Sequence, residues 1–353
     1  MTNARIASLD GLRALAITLV IAMHLHSGHT IPALDYLWRC ELLGDIGVRI
    51  FFVISGFLIT TLLSGEFRAR GEISLRHFYL RRALRIWPAY YLLLGVLAAA
   101  MLMGLQTLSW RDLAGPASFL ANYFPTSMVL AHSWSLAVEE QFYLIWPLLI
   151  VLAGWRRATF CVIAFCLAAP CLRGFELLAH SPEAFLWSRF EHAGDAIGWG
   201  CLYALARERG RLPKLAAEHA AYLAWGALAG LLALSVSSAW PLFWSLAGSV
   251  IANGLAVLLI HGALNAEGTL IFRLLNSAPV RKIGALSYSL YLWQQVFIYG
   301  NFRLPAPWNL MAIFAAASFS YYAVELNFLR WKERQFASAR TSPASAGAQL
   351  GAE

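Results

Sequence analysis

The sequence predicts an all-α polytopic membrane protein with about ten transmembrane helices and both termini in the cytosol. Of its 353 residues, 59% are hydrophobic and only 13% are charged, whereas soluble proteins average about 25% charged residues. The apolar residues form long segments, which short connections rich in Arg separate. The formal net charge of +8 is therefore explained by cytosolic connections, and no nucleic-acid-binding role is required.

Ten apolar segments are long enough, or nearly so, to cross a bilayer as helices of about 20 residues. Basic connections follow every second segment, which is the pattern of cytosolic loops. Gly115–Leu130 is also apolar, but Asn122 and Pro125 interrupt it, so we predict an outer loop or a re-entrant segment there. The predicted spans are Leu9–Ser27, Gly44–Leu63, Ile86–Leu105, His132–Leu152, Thr159–Leu178, Phe190–Ala206, Ala220–Val236, Trp240–His261, Leu286–Tyr299 and Asn309–Val324.

The first segment carries three ionisable side chains, Asp10, Arg13 and His24, in an otherwise apolar sequence. A charged side chain inside a membrane costs about 2.5 to 3.5 kcal/mol, so it requires a partner or a water-filled cavity. At about 100° per residue, Arg13 and His24 lie within about 20° of one helix face. This stripe indicates either a functional site or two structural contacts, one with a lipid head group and one with a neighbouring helix.

A second group of charges lies at the cytosolic mouth of the third segment. Arg82 and Arg85 share a helix face, and Arg81 lies four residues before Arg85, so three guanidinium groups can converge on a phosphate. The alternative, which this segment alone favours, is a basic anchor that faces lipid phosphates. Because His24 lies near the outer end of the first segment, a cytosolic anion pocket would suit a donor and an acceptor that arrive from opposite sides.

Two adjacent carboxylates, Glu139 and Glu140, lie about 10 Å from the outer end of the fourth segment. They belong to the sequence His132-Ser-Trp-Ser-Leu-Ala-Val-Glu-Glu-Gln-Phe-Tyr143. An interfacial position would reduce their cost, but packing alone does not explain two neighbouring carboxylates in one span, and a functional role is favoured. The five cysteines show no metal-type spacing, so we expect packing roles for them and no metal site.

Five motifs of the chain resemble those of acyltransferase family 3, which includes bacterial O-antigen and exopolysaccharide O-acetylases. The motifs occur in the family's order, and His24 follows Arg13 at the family's Arg-x10-His spacing. The resemblance implies an integral membrane enzyme that moves an acyl group, usually acetyl from acetyl-CoA, onto a hydroxyl of a carbohydrate or another cell-envelope molecule. The motifs are Leu9-Asp-Gly-Leu-Arg-Ala-Leu-Ala, Gly47-Val-Arg-Ile-Phe-Phe-Val-Ile-Ser-Gly-Phe-Leu-Ile59, Arg81-Arg-Ala-Leu-Arg-Ile-Trp-Pro88, Trp134-Ser-Leu-Ala-Val-Glu-Glu-Gln-Phe-Tyr143 and Ile283-Gly-Ala-Leu-Ser-Tyr-Ser-Leu-Tyr-Leu-Trp293.

The resemblance also implies roles for individual side chains. Arg13 and His24 match the family's proposed catalytic pair, and a neutral imidazole can accept the proton of the attacking hydroxyl. A nearby glutamate can orient that imidazole, so we assign catalytic roles to Glu139 and Glu140 as well. We expect Arg81, Arg82 and Arg85 to bind the phosphates of acyl-CoA, and Asp10, Trp134, Ser135, Tyr288, Tyr291 and Gln294 to contact substrate.

The closing element, which in the family is often Ile-Glu-Arg-Pro, reads Val324-Glu-Leu-Asn327 here, and two single positions also depart from the family pattern. Arg49 stands where many relatives have Asp, and Gln294 stands where many have His. An amide has no useful protonation change near pH 7, so we predict that Gln294 positions substrate in the same polar interior as His24 without transferring a proton.

The competing interpretation is a transporter or flippase for an anionic metabolite, because intramembrane Arg, His and Glu also line transport paths. The sequence has no clear inverted repeat, which favours the enzyme. We therefore predict a transmembrane acyltransferase domain over residues 1–336 and a disordered cytosolic tail over 337–353. The protein is expected in the bacterial plasma (inner) membrane, with acyl-CoA as a donor substrate, a hydroxyl acceptor, no permanently bound cofactor and no nucleic acid partner.

Overall fold

The computed structural model describes residues 7–28, 42–179, 188–235 and 240–338. Every regular element within these ranges is helical, as predicted. The predicted disordered tail begins inside the last helix, and the remainder of that tail lies outside the described residues. The helices are α1 (Ala7–Ser27), α2 (Leu43–Arg70), α3 (Leu75–Leu102), α4 (Trp110–Ala117), α5 (Ser133–Ala179), α6 (Phe190–Ala193), α7 (Asp195–Glu208), α8 (Ala217–Leu234), α9 (Pro241–Asn265), α10 (Leu270–Leu275), α11 (Ala278–Ile298), α12 (Trp308–Phe319) and α13 (Leu326–Ser338).

Seven helices of the described chain are long and apolar enough to cross a membrane, so the protein is a multi-pass membrane protein. They are α1, α2, α3, α5, α8, α9 and the continuous run from α12 into α13. The fourth and fifth predicted spans both lie in α5, which bends at Gly154, where φ is 78° and ψ is 160°. The predicted count of about ten spans and the cytosolic position of both termini stay predictions.

Helix α3 begins at Leu75, well before the predicted start at Ile86, and the side chain of Ser74 caps it by accepting the backbone N–H of His77. The prediction placed this boundary wrongly because the arginines that precede Ile86 lower the local hydropathy, although arginine is a good helix former. Arg82 and Arg85 therefore lie on the same continuous helix as the predicted span, which agrees with their predicted shared helix face.

The apolar segment that follows α3 contains no spanning helix among its described residues, only the eight-residue α4. Phe119 from this segment stacks on Tyr90, with ring centroids 5.1 Å apart, and also on Trp87. Both partners lie near the middle of α3, so the segment returns into the bundle. This geometry favours the re-entrant alternative over a simple outer loop.

Helix α1 lies between α2 and α11 at the centre of the bundle. Its contact with α11 is close, because a Cβ atom on Gly284 would overlap the backbone carbonyl of Asp10. Two apolar clusters share α1 and α2: one extends over α3, α5 and α11, and the other extends over α8, α9 and α10. Asp10, Arg13 and His24 of α1 thus lie among neighbouring helices, with Asp10 buried and the other two partly buried.

Candidate active site

A cavity of about 90 Å³ lies among α1, α2, α3, α5 and α11. Its charged lining residues are Arg13, Arg82, Arg85 and Glu139, so positive groups outnumber negative ones. Hydroxyl groups complete the polar part of the wall. They belong to Ser55, Ser135, Tyr143, Ser287, Tyr288 and Tyr291.

Three arginines from two helices converge on this cavity. Arg13 comes from α1, and Arg82 and Arg85 come from one face of α3. The guanidinium carbon of Arg82 lies 4.1 Å from the ring centroid of Tyr143, a distance typical of a cation–π contact. The Nε atom of Arg82 is buried and makes no hydrogen bond with any described residue. This arrangement suits an anion with several oxygen atoms, such as a phosphate.

Arg81 does not line the cavity. Its guanidinium group forms an ion pair of 2.8 Å with Glu66 near the end of α2. Around the helix axis Arg81 lies only about 40° from Arg85, so it is the ion pair with Glu66 that holds its guanidinium group away from the cavity. The predicted group of three arginines on α3 is therefore two arginines at the cavity and one in a separate ion pair.

The two glutamates point in different directions because consecutive residues of a helix are rotated by about 100°. Glu139 lines the cavity and accepts a hydrogen bond from the hydroxyl of Ser55. Glu140 faces α3, where it accepts a hydrogen bond of 3.3 Å from the indole N–H of Trp87. Neither carboxylate lies within hydrogen-bond distance of His24 in the described chain. The structure therefore does not support the predicted role of a glutamate in orienting this imidazole.

His24 lies three helical turns from Arg13, about 16 Å along the axis of α1. It is partly buried and does not line the cavity. Its Nδ1 atom lies 3.4 Å from the hydroxyl of Tyr299, and its Nε2 atom lies 3.1 Å from the amide nitrogen of Gln295. The sequence predicts one face of α1 for both side chains; Arg13 lines the cavity, and His24 contacts Gln295 and Tyr299 three turns further along.

The residues expected to contact substrate divide into two groups. Ser135, Tyr288 and Tyr291 line the cavity, and the hydroxyls of Ser135 and Tyr291 are hydrogen-bonded to each other. The other three do not line it. Asp10 is buried beneath α11, Trp134 packs edge-to-face on Phe52, and Gln294 is fully buried without a hydrogen bond from its amide to any described residue.

Two residues that contact His24, Gln295 and Tyr299, were not predicted from the sequence. His132, which begins the motif of the fourth predicted span, was also given no role. Tyr291 shares a helix face with both Gln294 at i, i+3 and Gln295 at i, i+4. Periodicity alone could not decide which amide reaches His24, and the structure places Gln295 there.

Arg49, the departure in the second predicted span, belongs to a separate buried network. It forms an ion pair of 2.6 Å with Asp45 and a hydrogen bond of 3.0 Å with Asn253. Asn253 in turn bonds Asp195, which pairs with Arg173 at 3.2 Å. These charges compensate one another, so Arg49 adds no positive charge to the cavity.

A model of the family described as an acyltransferase domain matches residues 6–326 of the chain. The chain belongs to this acyltransferase family. The match confirms the resemblance to acyltransferase family 3, and it favours an enzyme over the carrier that the intramembrane charges also allowed. The cavity and His24 both lie inside the matched region.

Three relatives of this acyltransferase are O-acetyltransferases by name. It is 28% identical over 322 residues to the peptidoglycan O-acetyltransferase OatA of Listeria monocytogenes serovar 1/2a, covering 83% of this chain and 49% of the relative. It is 28% identical over 318 residues to YrhL of Bacillus subtilis strain 168, named as a candidate peptidoglycan O-acetyltransferase, covering 82% and 48%. It is 36% identical over 160 residues to SACOL0978 of Staphylococcus aureus strain COL, named as a candidate O-acetyltransferase, covering 41% and 25%.

The acyltransferase spans about half the length, or less, of these relatives. No solved structure matches the chain significantly.

Proposed function

We propose that this acyltransferase moves an acetyl group from acetyl-CoA to a hydroxyl of a cell-wall carbohydrate in the bacterial inner membrane. The observation that carries the proposal is the cavity where Arg13, Arg82 and Arg85 meet, in a chain whose named relatives include a peptidoglycan O-acetyltransferase. The proposed topology has about ten spans and cytosolic termini. The end of the bundle where α3 begins then faces the cytosol, which contains acetyl-CoA.

The donor phosphates would bind the guanidinium groups of Arg82 and Arg85. Each guanidinium presents a planar fork of N–H donors, which matches two oxygens of one phosphate. The buried Nε of Arg82 makes no hydrogen bond with a described residue, so it can donate to a ligand without breaking a contact. Arg13, which comes from α1, adds a third positive charge to the wall of the cavity.

The acceptor hydroxyl would react beside His24, at the other end of the site. The imidazole takes the hydroxyl proton while the oxygen attacks the thioester carbonyl, the carbon–sulfur bond breaks, and the thiolate of CoA leaves with the proton from the imidazole. His24 is thereby restored, and the product is an O-acetyl ester. Because the two ends of the site are separated along α1, the donor would reach the cavity from the cytosol and the acceptor would reach His24 from the other side of the membrane.

The test uses the purified protein in lipid nanodiscs, acetyl-CoA with a labelled acetyl group, and peptidoglycan fragments as the acceptor. We expect label on the fragments that mild alkali removes, because esters are hydrolysed under conditions that leave amides intact. His24→Ala should abolish this transfer while membrane insertion is unchanged, since the substitution removes a polar group from a span.

Arg68→Lys provides the control, because Arg68 is exposed at the end of α2 and the variant retains its charge. Transfer at the wild-type rate by His24→Ala would contradict the assignment of the base. Alkali-stable label would indicate an N-acyl product. If no fragment is labelled at all, the proposal of a carbohydrate acceptor of this class is contradicted.

A further inference from the structure

Gln295 on α11 connects two histidines from different parts of the chain. Its side chain is buried, with 1% of its surface exposed. Its amide oxygen lies 2.9 Å from the backbone nitrogen of His132 and 2.8 Å from the Nδ1 atom of the same residue. Its amide nitrogen lies 3.1 Å from the Nε2 atom of His24. The amide thus has hydrogen-bonding partners on both of its ends.

The backbone of His132 determines which end of the amide is which. A backbone N–H can only donate a hydrogen bond, so the Gln295 atom that faces it must be the oxygen. The NH2 group of Gln295 then faces His24, and an NH2 group can only donate. The Nε2 atom of His24 must therefore accept, which means that it carries a lone pair and no proton.

The proton of a neutral His24 consequently resides on Nδ1. That atom lies 3.4 Å from the hydroxyl oxygen of Tyr299, which can accept the N–H, while the Tyr299 hydroxyl can itself donate to the backbone carbonyl of His24 at 3.4 Å. If Nε2 were protonated, its N–H would face the N–H of Gln295, and two donors cannot form a hydrogen bond with each other. The same amide therefore disfavours both the other tautomer and the imidazolium ion in the resting enzyme.

We propose that Gln295 is a positioning residue that holds His24 in the tautomer with the proton on Nδ1 and the reactive lone pair on Nε2. The inference rests on the proposed function, in which His24 is the base. The acceptor hydroxyl replaces the amide N–H at Nε2 and transfers its proton there as its oxygen attacks the acyl carbon. The departing thiolate then removes that proton, and the amide bonds Nε2 again.

His132 fixes Gln295 and connects it to the cavity. The ring of His132 packs edge-to-face on Tyr291, with centroids 5.4 Å apart, and its backbone carbonyl accepts a hydrogen bond of 3.1 Å from the Tyr291 hydroxyl. Tyr291 lines the cavity. His132 itself is 2% exposed, and its Nε2 makes no hydrogen bond with any described residue. The two ends of the site are thus joined by hydrogen bonds through buried residues.

Two substitutions of similar size separate this role from a purely structural one. Gln295→Glu, as a carboxylate, retains an oxygen for both N–H groups of His132 but presents an acceptor to His24, which requires a proton on Nε2. Gln295→Met removes both interactions. We expect kcat to fall by up to about 10⁴-fold in Gln295→Glu, as a wrong histidine tautomer does in a catalytic triad, and by less in Gln295→Met. KM for acetyl-CoA should be unchanged in both.

The matched control is Gln106→Met. Gln106 is also buried, at 3% exposed, and its amide oxygen also accepts a backbone N–H, that of Asn301 at 2.8 Å. This variant loses the same kind of bond with no histidine in contact, so kcat should stay near the wild-type value. A structural role for Gln295 predicts the opposite order, with Gln295→Glu more active than Gln295→Met.

A direct measurement does not depend on activity. Nitrogen-15 NMR of histidine-labelled protein in nanodiscs, with the His24 signals assigned from their loss in His24→Ala, reports which ring nitrogen carries the proton. We expect Nδ1–H for His24 in the wild type and a mixture of tautomers in Gln295→Met. A proton on Nε2 in the wild type would overturn the inference, even if Gln295→Glu fails to fold. If no acetyl transfer occurs but Nδ1–H is observed, the proposed function fails and the tautomer assignment stands.

Discussion

Replacing the cavity arginines of α3 by lysine tests the proposed donor site without altering charge or topology. In Arg82→Lys and Arg85→Lys the positive charge is retained, but the planar fork and the Nε–H donor are lost. Arg82 matters most in this respect, because its Nε is buried and makes no hydrogen bond within the described chain. A phosphate would therefore lose at least one charged hydrogen bond in that variant.

The size of the effect follows from the strength of such bonds. A hydrogen bond to a charged group contributes about 1.5 to 3 kcal/mol, and each 1.4 kcal/mol corresponds to a tenfold change in Kd. We therefore expect the Kd for CoA to rise about 10- to 100-fold in each single variant. Isothermal titration calorimetry of the protein in nanodiscs measures this directly, and accessibility labelling of the connections verifies that the topology is unchanged.

Two further lysine variants make the result specific. Arg76→Lys is the control, since Arg76 is exposed at the start of α3. Arg81→Lys should also bind CoA as the wild type does, because Lys can retain the ion pair with Glu66. Unchanged affinity in Arg82→Lys and Arg85→Lys would show that these residues are topological anchors. An equal loss in Arg81→Lys would refute the separation of this residue from the cavity.

Three other predictions test the geometry of the bundle. Glu139→Gln should bind CoA more tightly in the same titration, because a negative charge is removed beside the arginines, whereas Glu140→Gln should have a smaller effect because Glu140 faces α3 and bonds Trp87; equal effects would contradict their separation. Gly284→Ala should lower the stability by about 1 to 3 kcal/mol because the methyl group overlaps α1, while Gly65→Ala, with no atom nearby, should be neutral or stabilising in thermal unfolding. Asp195→Ala should cost about 3 to 5 kcal/mol in the same assay, because it leaves a buried guanidinium without its partner; a neutral result would show that water compensates that charge.

The helical class and the approximate positions of the helices follow from hydropathy, because a bilayer requires long apolar helices. The beginning of α3 does not follow, since hydropathy reports membrane burial and the first turns of this helix are basic. The cap formed by Ser74 and His77 is a local signal that marks the correct start. With that boundary, the helix face that Arg82 and Arg85 share belongs to the same continuous helix as the membrane span.

The site is less predictable than the fold because it depends on contacts between distant segments. Periodicity predicts one face of α3 for Arg82 and Arg85, and both line the cavity, whereas of the face of α1 predicted for Arg13 and His24 only Arg13 lines it. It cannot say which of two adjacent residues meets a neighbouring helix, so Glu139 and Glu140 were expected to act together, and Gln294 was favoured over Gln295. The rotation of α5 and α11 about their axes settles both choices, and tertiary packing sets that rotation.

The separation of Arg13 from His24 constrains how the donor must lie. The two side chains are three helical turns, about 16 Å, apart along α1. The phosphates bound near Arg13 and the thioester carbon beside His24 must therefore be separated by a similar distance within one donor molecule. In the proposed reaction, the phosphates of CoA would bind near Arg82 and the long flexible arm would extend along α1 toward His24. Tyr291 lines the cavity and is hydrogen-bonded to His132, which in turn bonds Gln295 beside His24. The residues that hold Gln295 against His24 would therefore adjoin the donor arm, so that the base and the thioester are positioned by one set of contacts.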